Sequence, residues 1–265
     1  RFVNDLTTLI IIFLVLSLLI SGYFAGLVGM PLGPIRIFFM LFFGVNALIV
    51  FGTNLAISFV MMIPTVWNNL KHKRIDFRTG ILFIISGGII GPFFGGIISE
   101  SFSQDILLFI VTVLIIVSGL LIVQAVHFPI KKNSKVNKSR KDLIASFLNL
   151  IIGALGSSVG MVLGALRYPV MINFLRTEAK SAGGINSFIN LIFAFFGLIG
   201  HLLASQESGN SHFDFYLFLP LAVAGFIGSY FGSKHVAYYS NKFILVTLYI
   251  ILFIMGTLMI LREFI

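Results

Sequence analysis

Apolar runs, most of about 18–22 residues, recur along the chain. That is the length a helix needs to cross a hydrocarbon core of about 30 Å. Ten such segments read over roughly 7–28, 33–50, 52–70, 79–99 and 106–126, then, after a polar linker, 143–163, 164–176, 182–203, 215–235 and 243–261. Their interiors do not alternate apolar and polar residues as barrel strands do. The pattern predicts an all-α polytopic membrane protein. Segment 164–176 is too short to span, and it and its counterpart 33–50 are where broken or re-entrant helices are expected.

The polar interruptions divide the chain. The one long polar stretch, KKNSKVNKSRKD over 131–142, separates a first unit (1–130) from a second (143–265). Its six basic residues and single Asp142 read as a cytoplasmic connector, with anionic lipid headgroups as the partner under a second reading. The two units resemble each other. GMPLGPIR (29–36) matches GMVLGALR (160–167) at five of eight positions, and GIIGPFFG (88–95) matches GFIGSYFG (225–232) at five of eight. Asn54 parallels Asn186, and Asp76 parallels Asp214. A common order at a near-constant offset, about 131–138 residues, is the mark of an internal repeat. The loop KHKRIDFR (71–78) is basic, whereas its counterpart ASQESGNSHFD (204–214) has no Lys or Arg. Equivalent loops of opposite charge character belong on opposite sides of a membrane, so two inverted repeats of about five helical segments each are expected.

Composition sharpens this picture. Hydrophobic residues make up 58% of the 265 and charged residues 10%, against about 25% charged in soluble domains. The net charge of +9 needs no nucleic-acid partner, because excess Lys and Arg mark cytoplasmic loops. With the linker inside, Lys71, Lys73, Arg74, Arg78, Arg176, Lys180, Lys234 and Lys242 also fall inside, and Arg1 and Arg262 lie at outer ends. Two basic residues are left over, Arg36 and Arg167. There is no cysteine, which excludes disulfides and thiolate chemistry. The chain begins at Arg1 with no methionine, so an upstream segment is expected and no signal peptide is judged from what remains.

All nine carboxylates lie in loops or at segment ends, which disfavours a cation pump or proton relay. A guanidinium inside a bilayer costs at least about 2.5–3.5 kcal/mol. With no carboxylate inside to pair it, a small anion is the natural complement, and the planar fork of Arg suits oxyanions. Gly29, Gly33, Gly160 and Gly164 lack the Cβ that would keep a ligand or a backbone away. Pro31 and Pro34 break the first copy, and a broken helix exposes N–H groups that favour anions. The alternatives are a small-residue packing face for the glycines and snorkelling of both arginines to a surface. Asn54 and Asn186 are secondary ligands or interhelical hydrogen bonders. His201, at a span end, and His72, His127, His212 and His235, in or near loops, read as solvated interface histidines, with a proton carrier as the alternative for each. Trp67 reads as an interfacial anchor. No hydrolase triad, P-loop or zinc spacing occurs, so no catalytic residue, metal or cofactor is expected.

A glycine-rich G-x-G-G-G-x-x-x-x-P stretch early in each half resembles the TauE/SafE family of sulfite exporters. The second copy keeps Gly160, Gly164 and Pro169, and the first keeps Gly29 and Gly33. FGTN (51–54), KHKRIDF and GIIGPFFG resemble further family elements, so the likeness runs over about 15–262. The copies depart from the family pattern at Pro31 and Leu32, at Val162 and Leu163, and at Phe38. The resemblance implies export of sulfite or small organosulfonates, and together with the inverted repeats it leads to the expectation of an inner-membrane transporter of alternating-access type with Arg36 and Arg167 binding the anion. A transporter of another small anion and a non-transporting scaffold are the alternatives. The oligomeric state, a homodimer included, is left open.

Overall fold

A computed structural model describes residues 8–101, 103–128 and 138–261. Arg1, Arg262 and residues 131–137 of the basic linker lie outside them. Within the described residues the chain is helical, with no strand. The first unit comprises α1 (Thr8–Val28), α2 (Gly33–Phe42), α3 (Ala47–Lys71), α4 (Phe77–Phe83), a π-helical stretch (Ile84–Ile90), α5 (Gly91–Ile97), a 3₁₀ turn (Ile98–Glu100) and α6 (Gln104–His127). The second comprises α7 (Lys138–Ser158), α8 (Gly164–Pro169), a π-helical stretch (Val170–Phe174), α9 (Ala179–Ser208), α10 (Phe215–His235), a 3₁₀ turn (Val236–Tyr238) and α11 (Asn241–Leu261). Six of these helices are long and apolar enough to cross a membrane.

The expected break at each glycine-rich motif is present, and the backbone gives its cause. α1 ends in a left-handed glycine, Gly29 (φ 71°), with Met30 N–H donating to Ala25 O at 3.0 Å. α7 ends the same way at Gly160 (φ 63°), with Met161 N–H donating to Gly156 O at 2.7 Å and Gly160 N–H to Ser157 O at 2.9 Å. These are glycine C-caps of the Schellman kind.

One boundary differs from the expectation. The division between the second and third segments falls at 43–46, not near 51. Gly44 (φ 80°) closes α2 with a third glycine cap, Val45 N–H reaching Met40 O at 3.1 Å. The Asn46 side chain then accepts from Leu48 N–H at 3.0 Å and starts α3. α2 is therefore 10 residues long, about 15 Å, half a bilayer core.

The units are interleaved. α1 packs along α10, and α7 packs along the α4–α5 rod. α3 packs against both α9 and α10, and α6 against α11. Small residues make these approaches close. A Cβ on Gly22 would stand 3.1 Å from Gly225 O, and one on Gly153 would stand 2.7 Å from Gly87 O. The packing-face reading of the glycines therefore holds at these positions.

Charge separates the two ends of the bundle. Lys180 N–H donates to Asn241 Oδ1 at 3.1 Å and Asn69 Nδ2 to Ser187 Oγ at 3.2 Å, which gathers the basic loops near 71–78, 176–180 and 234–242. At the other end, Asp214 N–H donates to Thr53 Oγ1 at 3.0 Å and Asn210 Nδ2 to Glu100 Oε2 at 3.2 Å. The connections there, 43–46, 98–103 and 205–214, contain no Lys or Arg.

Candidate functional site

Arg36 enters from the first turn of α2 and is 5% exposed. Its Nε donates to Asn54 Oδ1 (2.7 Å), Nη2 to Ser58 Oγ (2.5 Å) and Nη1 to Met61 Sδ (2.9 Å). All three partners sit on one face of α3, at i, i+4 and i+7. Ser58 lies eleven residues into the helix, about 16 Å at 1.5 Å per residue. The guanidinium therefore ends at mid-helix, buried among protein groups and away from the ends of α3.

Arg167, in α8, is 0% exposed. Its Nε donates to Asn149 Oδ1 of α7 (2.5 Å), Nη1 to Asn190 Oδ1 of α9 (2.6 Å) and Nη2 to Gly87 O (3.5 Å). The guanidinium carbon is 5.3 Å from the centroid of the Phe193 ring. Asn190 is also eleven residues into its helix, so Arg167 too ends mid-helix. Among the described residues, neither arginine is paired with a carboxylate. Each guanidinium carries five N–H donors and uses three. The two share no hydrogen-bond partner.

The asparagines join the two motifs reciprocally. Asn54, held by Arg36, donates Nδ2–H to Gly160 O at 2.7 Å. Asn190, held by Arg167, donates Nδ2–H to Gly29 O at 3.4 Å. Each arginine thus orients an amide that caps a carbonyl at the other motif's break. Both carbonyls are among the groups a terminating helix leaves without an intrahelical partner.

The motif glycines receive protein, not open space. A Cβ on Gly29 would collide with the Gly183 backbone, and one on Gly160 with the Phe51 backbone. Gly33 faces Asn54 Nδ2, and Gly164 faces the amides of Asn186 and Asn190. Tyr168 adds a further tie across the halves, its hydroxyl donating to Val28 O. Asn186 donates Nδ2–H to Gly164 O at 3.1 Å and touches neither arginine through a hydrogen bond. Its Oδ1 is buried without a partner, so it offers an acceptor.

Sequence reasoning passed over Ser58, Asn149 and Asn190. The signal for two of them was present. Ser58 follows Asn54 by four, and Asn190 follows Asn186 by four, so each pair shares a helix face. Asn149 carries no such local mark. An apolar cavity of about 470 Å³ opens between α1, α2 and α11, lined by Phe24, Leu32, Phe39, Ile250 and Ile254 among others. Neither arginine lines it, so this volume is separate from the charged centre.

The histidine expectation needs correction. His201 and His212 are both 0% exposed, because α9 runs to Ser208 and the 209–214 connection folds back over its end. His72 and His127 are exposed and His235 is half-buried. Trp67 is 57% exposed, with Lys71 Nζ 5.0 Å from its ring, as an interfacial anchor would be.

The sequence profile of the family described as "Sulfite exporter TauE/SafE" matches residues 13–259. A protein of Bacillus subtilis (strain 168) named "Probable membrane transporter protein YunE" is 23% identical over 271 residues, covering 90% of this chain and 94% of that protein. No solved structure matches the chain.

Proposed function

The chain belongs to the sulfite exporter TauE/SafE family, and we propose that it exports a small sulfur oxyanion, sulfite or an organosulfonate, with Arg36 and Arg167 as the two positive centres of the path. The observation that carries this reading is the pair of buried guanidiniums whose partners are neutral. Hydrogen bonds to a charged group are worth about 1.5–3 kcal/mol each, so three of them offset the burial of each arginine. They leave its charge uncancelled. An oxyanion supplies the missing charge and takes the unused N–H donors.

The transport cycle we infer begins with the arginines closed off. Each is clamped by an asparagine that also bridges to the opposite motif. Movement of one unit against the other would break the bridge, free Asn54 or Asn190, and open a guanidinium to one side. Gly29, Gly33, Gly160 and Gly164 are the pivots and close-approach points of that motion. Asn54 then belongs to the binding group. Asn186 sits one helical turn before Asn190 on α9, at Gly164 O.

Two inverted units, 1–130 and 143–265, joined by the cytoplasmic linker 131–142, fit this cycle. The interleaved packing and the reciprocal asparagine bridges support the repeat. The gathering of basic loops at one end supports an inner-membrane orientation with that end inside. Export is then electrically downhill, by about 2.3 kcal/mol per charge per 100 mV.

The test is flux of radiolabelled sulfite in proteoliposomes. Arg36→Ala and Arg167→Ala each reduce it to the level of empty vesicles. Transport at the parent rate by both variants overturns the site.

A further inference from the structure

A row of buried polar groups lies apart from the arginines. His201 Nε2 is 2.7 Å from Ser157 O. His201 Nδ1 is 3.1 Å from His212 Nδ1. His212 Nε2 is 2.7 Å from Glu100 Oε1. Glu100 alone of these reaches solvent, its side chain 28% exposed. Ser157 stands three residues before Gly160, at the end of α7.

The hydrogens in this row can be counted. A carbonyl only accepts, so His201 Nε2 bears a hydrogen. The two Nδ1 atoms share a second. The Glu100 carboxyl is held below its usual range, first by the Ser208 hydroxyl and further by His212 and Asn210, against the opposing effect of burial. As a carboxylate it only accepts, so His212 Nε2 bears a third. Two neutral imidazoles carry two N–H hydrogens. The row therefore holds one proton in excess. Moving the shared hydrogen from one Nδ1 to the other shifts the positive charge between the ring in the 209–214 connection and the ring inside α9, with no hydrogen gained or lost.

Among the described residues, the groups that back onto the pair from α3, α5 and α7 carry no titratable side chain. Gly96 of α5 backs onto His201 N, and Gly52 of α3 backs onto His212 O. Ser157 closes the α7 side, and none of the three titrates. Glu207 and Asp214 flank the pair on its own segment, and Asp214 is engaged with Leu217 N–H at 2.9 Å. Asp105 shares this end of the bundle.

We propose that Glu100, His212 and His201 form a proton-binding site, open through Glu100 on the face opposite the basic loops, whose single excess proton latches the α9–α10 connection to the end of α5 and thereby restrains the second glycine break. Loss of that proton leaves three hydrogen-bonded gaps and two hydrogens to fill them. The outermost contact, His212 to Glu100, is the one that water can replace. Ser208 Oγ (2.7 Å) and Asn210 Nδ2 (3.2 Å) still hold Glu100, so the connection loosens without detaching. A protonated row slows transport, and alkalinisation of the Glu100 face speeds it. The flux arm of the test rests on the transporter reading. The spectroscopic arm does not.

The full chain, labelled with ¹⁵N-histidine, is reconstituted and observed by NMR. An N–H···N coupling joining one nitrogen of each of two rings, lost in His212→Gln and in His201→Gln, is expected near neutral pH. Two neutral rings at neutral pH, coupled or not, overturn the site whatever the flux result. Flux is then followed with an alkyl sulfonate, which stays ionised throughout, while pH is varied on one face between about 5.5 and 8. The parent rate rises at least about fivefold from the Glu100 face alone, the lower end of an ordinary coupling between sites. Glu100→Gln and His212→Gln flatten the response to less than about twofold. A parent whose transport ignores pH on that face overturns the latch. Absence of any anion flux at all overturns the exporter reading while the NMR coupling still decides the proton site.

Discussion

Asn54→Ala is the sharpest perturbation the structure offers. Asn54 is 0% exposed, accepts from Arg36 Nε at 2.7 Å and donates to Gly160 O at 2.7 Å. Alanine removes both roles and leaves two buried groups unsatisfied. The orphaned carbonyl costs about 1–3 kcal/mol, and the lost bond to the guanidinium about 1.5–3 kcal/mol. The sum is about 2.5–6 kcal/mol, a large fraction of a typical folding free energy. The single tryptophan, Trp67, lies on the same helix and reports unfolding by its fluorescence during titration of mixed micelles with SDS. The Arg36→Met background isolates the pair. There Asn54→Ala should cost about 1.5–3 kcal/mol less, because the donor it would strand is already gone. A cost below about 1 kcal/mol for Asn54→Ala, or the same cost in both backgrounds, would refute the bridge as a carrier of stability.

Other expectations follow from single residues. Gly44 and Gly160 both have left-handed backbone, but a Cβ on Gly44 meets nothing within 4 Å, whereas one on Gly160 meets the Phe51 backbone. Gly44→Ala should cost about 1–2 kcal/mol, the strain alone, and Gly160→Ala at least about twice that; equal losses of detergent-phase stability would contradict the packing role. Asn190→Ala strands the 2.6 Å bond from Arg167 and uncaps the Gly29 carbonyl, and should lower stability by about 2.5–6 kcal/mol, while Asn186→Ala, which removes one 3.1 Å bond, should cost about 1 kcal/mol; the SDS titration ranks them. The lowered Glu100 carboxyl contributes stability that is fully present above the ordinary carboxyl range and is lost as pH falls through the lowered folded value. Hydrogen exchange in 208–213 should therefore show a rise on acidification below the ordinary carboxyl range, distinct from any loosening at higher pH, and Glu100→Gln should lack this acid rise.

The elements were legible wherever an apolar run met a strong backbone signal. Both motif breaks could be read because glycine stands where α1 and α7 must stop. The α2–α3 division was misplaced because Phe43 and Val45 are as apolar as the helices they separate, and the αL turn at Gly44 is a property of one backbone angle. Within the site, Arg36 and Arg167 stood out as charges that no loop could absorb. Their partners did not, because Asn149 reaches Arg167 through the packing of α7 beside α8 and not through any spacing along the chain. The burial of His212 was invisible for a related reason. A residue in a polar loop reads as wet until the fold lays that loop over the end of α9.

The reciprocal asparagine bridges also set an order on biosynthesis. The Gly29 carbonyl waits for the amide of Asn190, 161 residues later, and Asn54 waits for Gly160, 106 residues later. At about 5–20 residues per second, the first half sits in the insertion machinery on the order of ten seconds with its break uncapped. It can be inserted in that interval, but it cannot be finished. The nascent half is thus a provisional structure that depends on its sibling for completion. Two half-chains made separately should accordingly recognise each other through the same unmet carbonyls, so that cutting the linker leaves assembly intact while deleting either half strands the other.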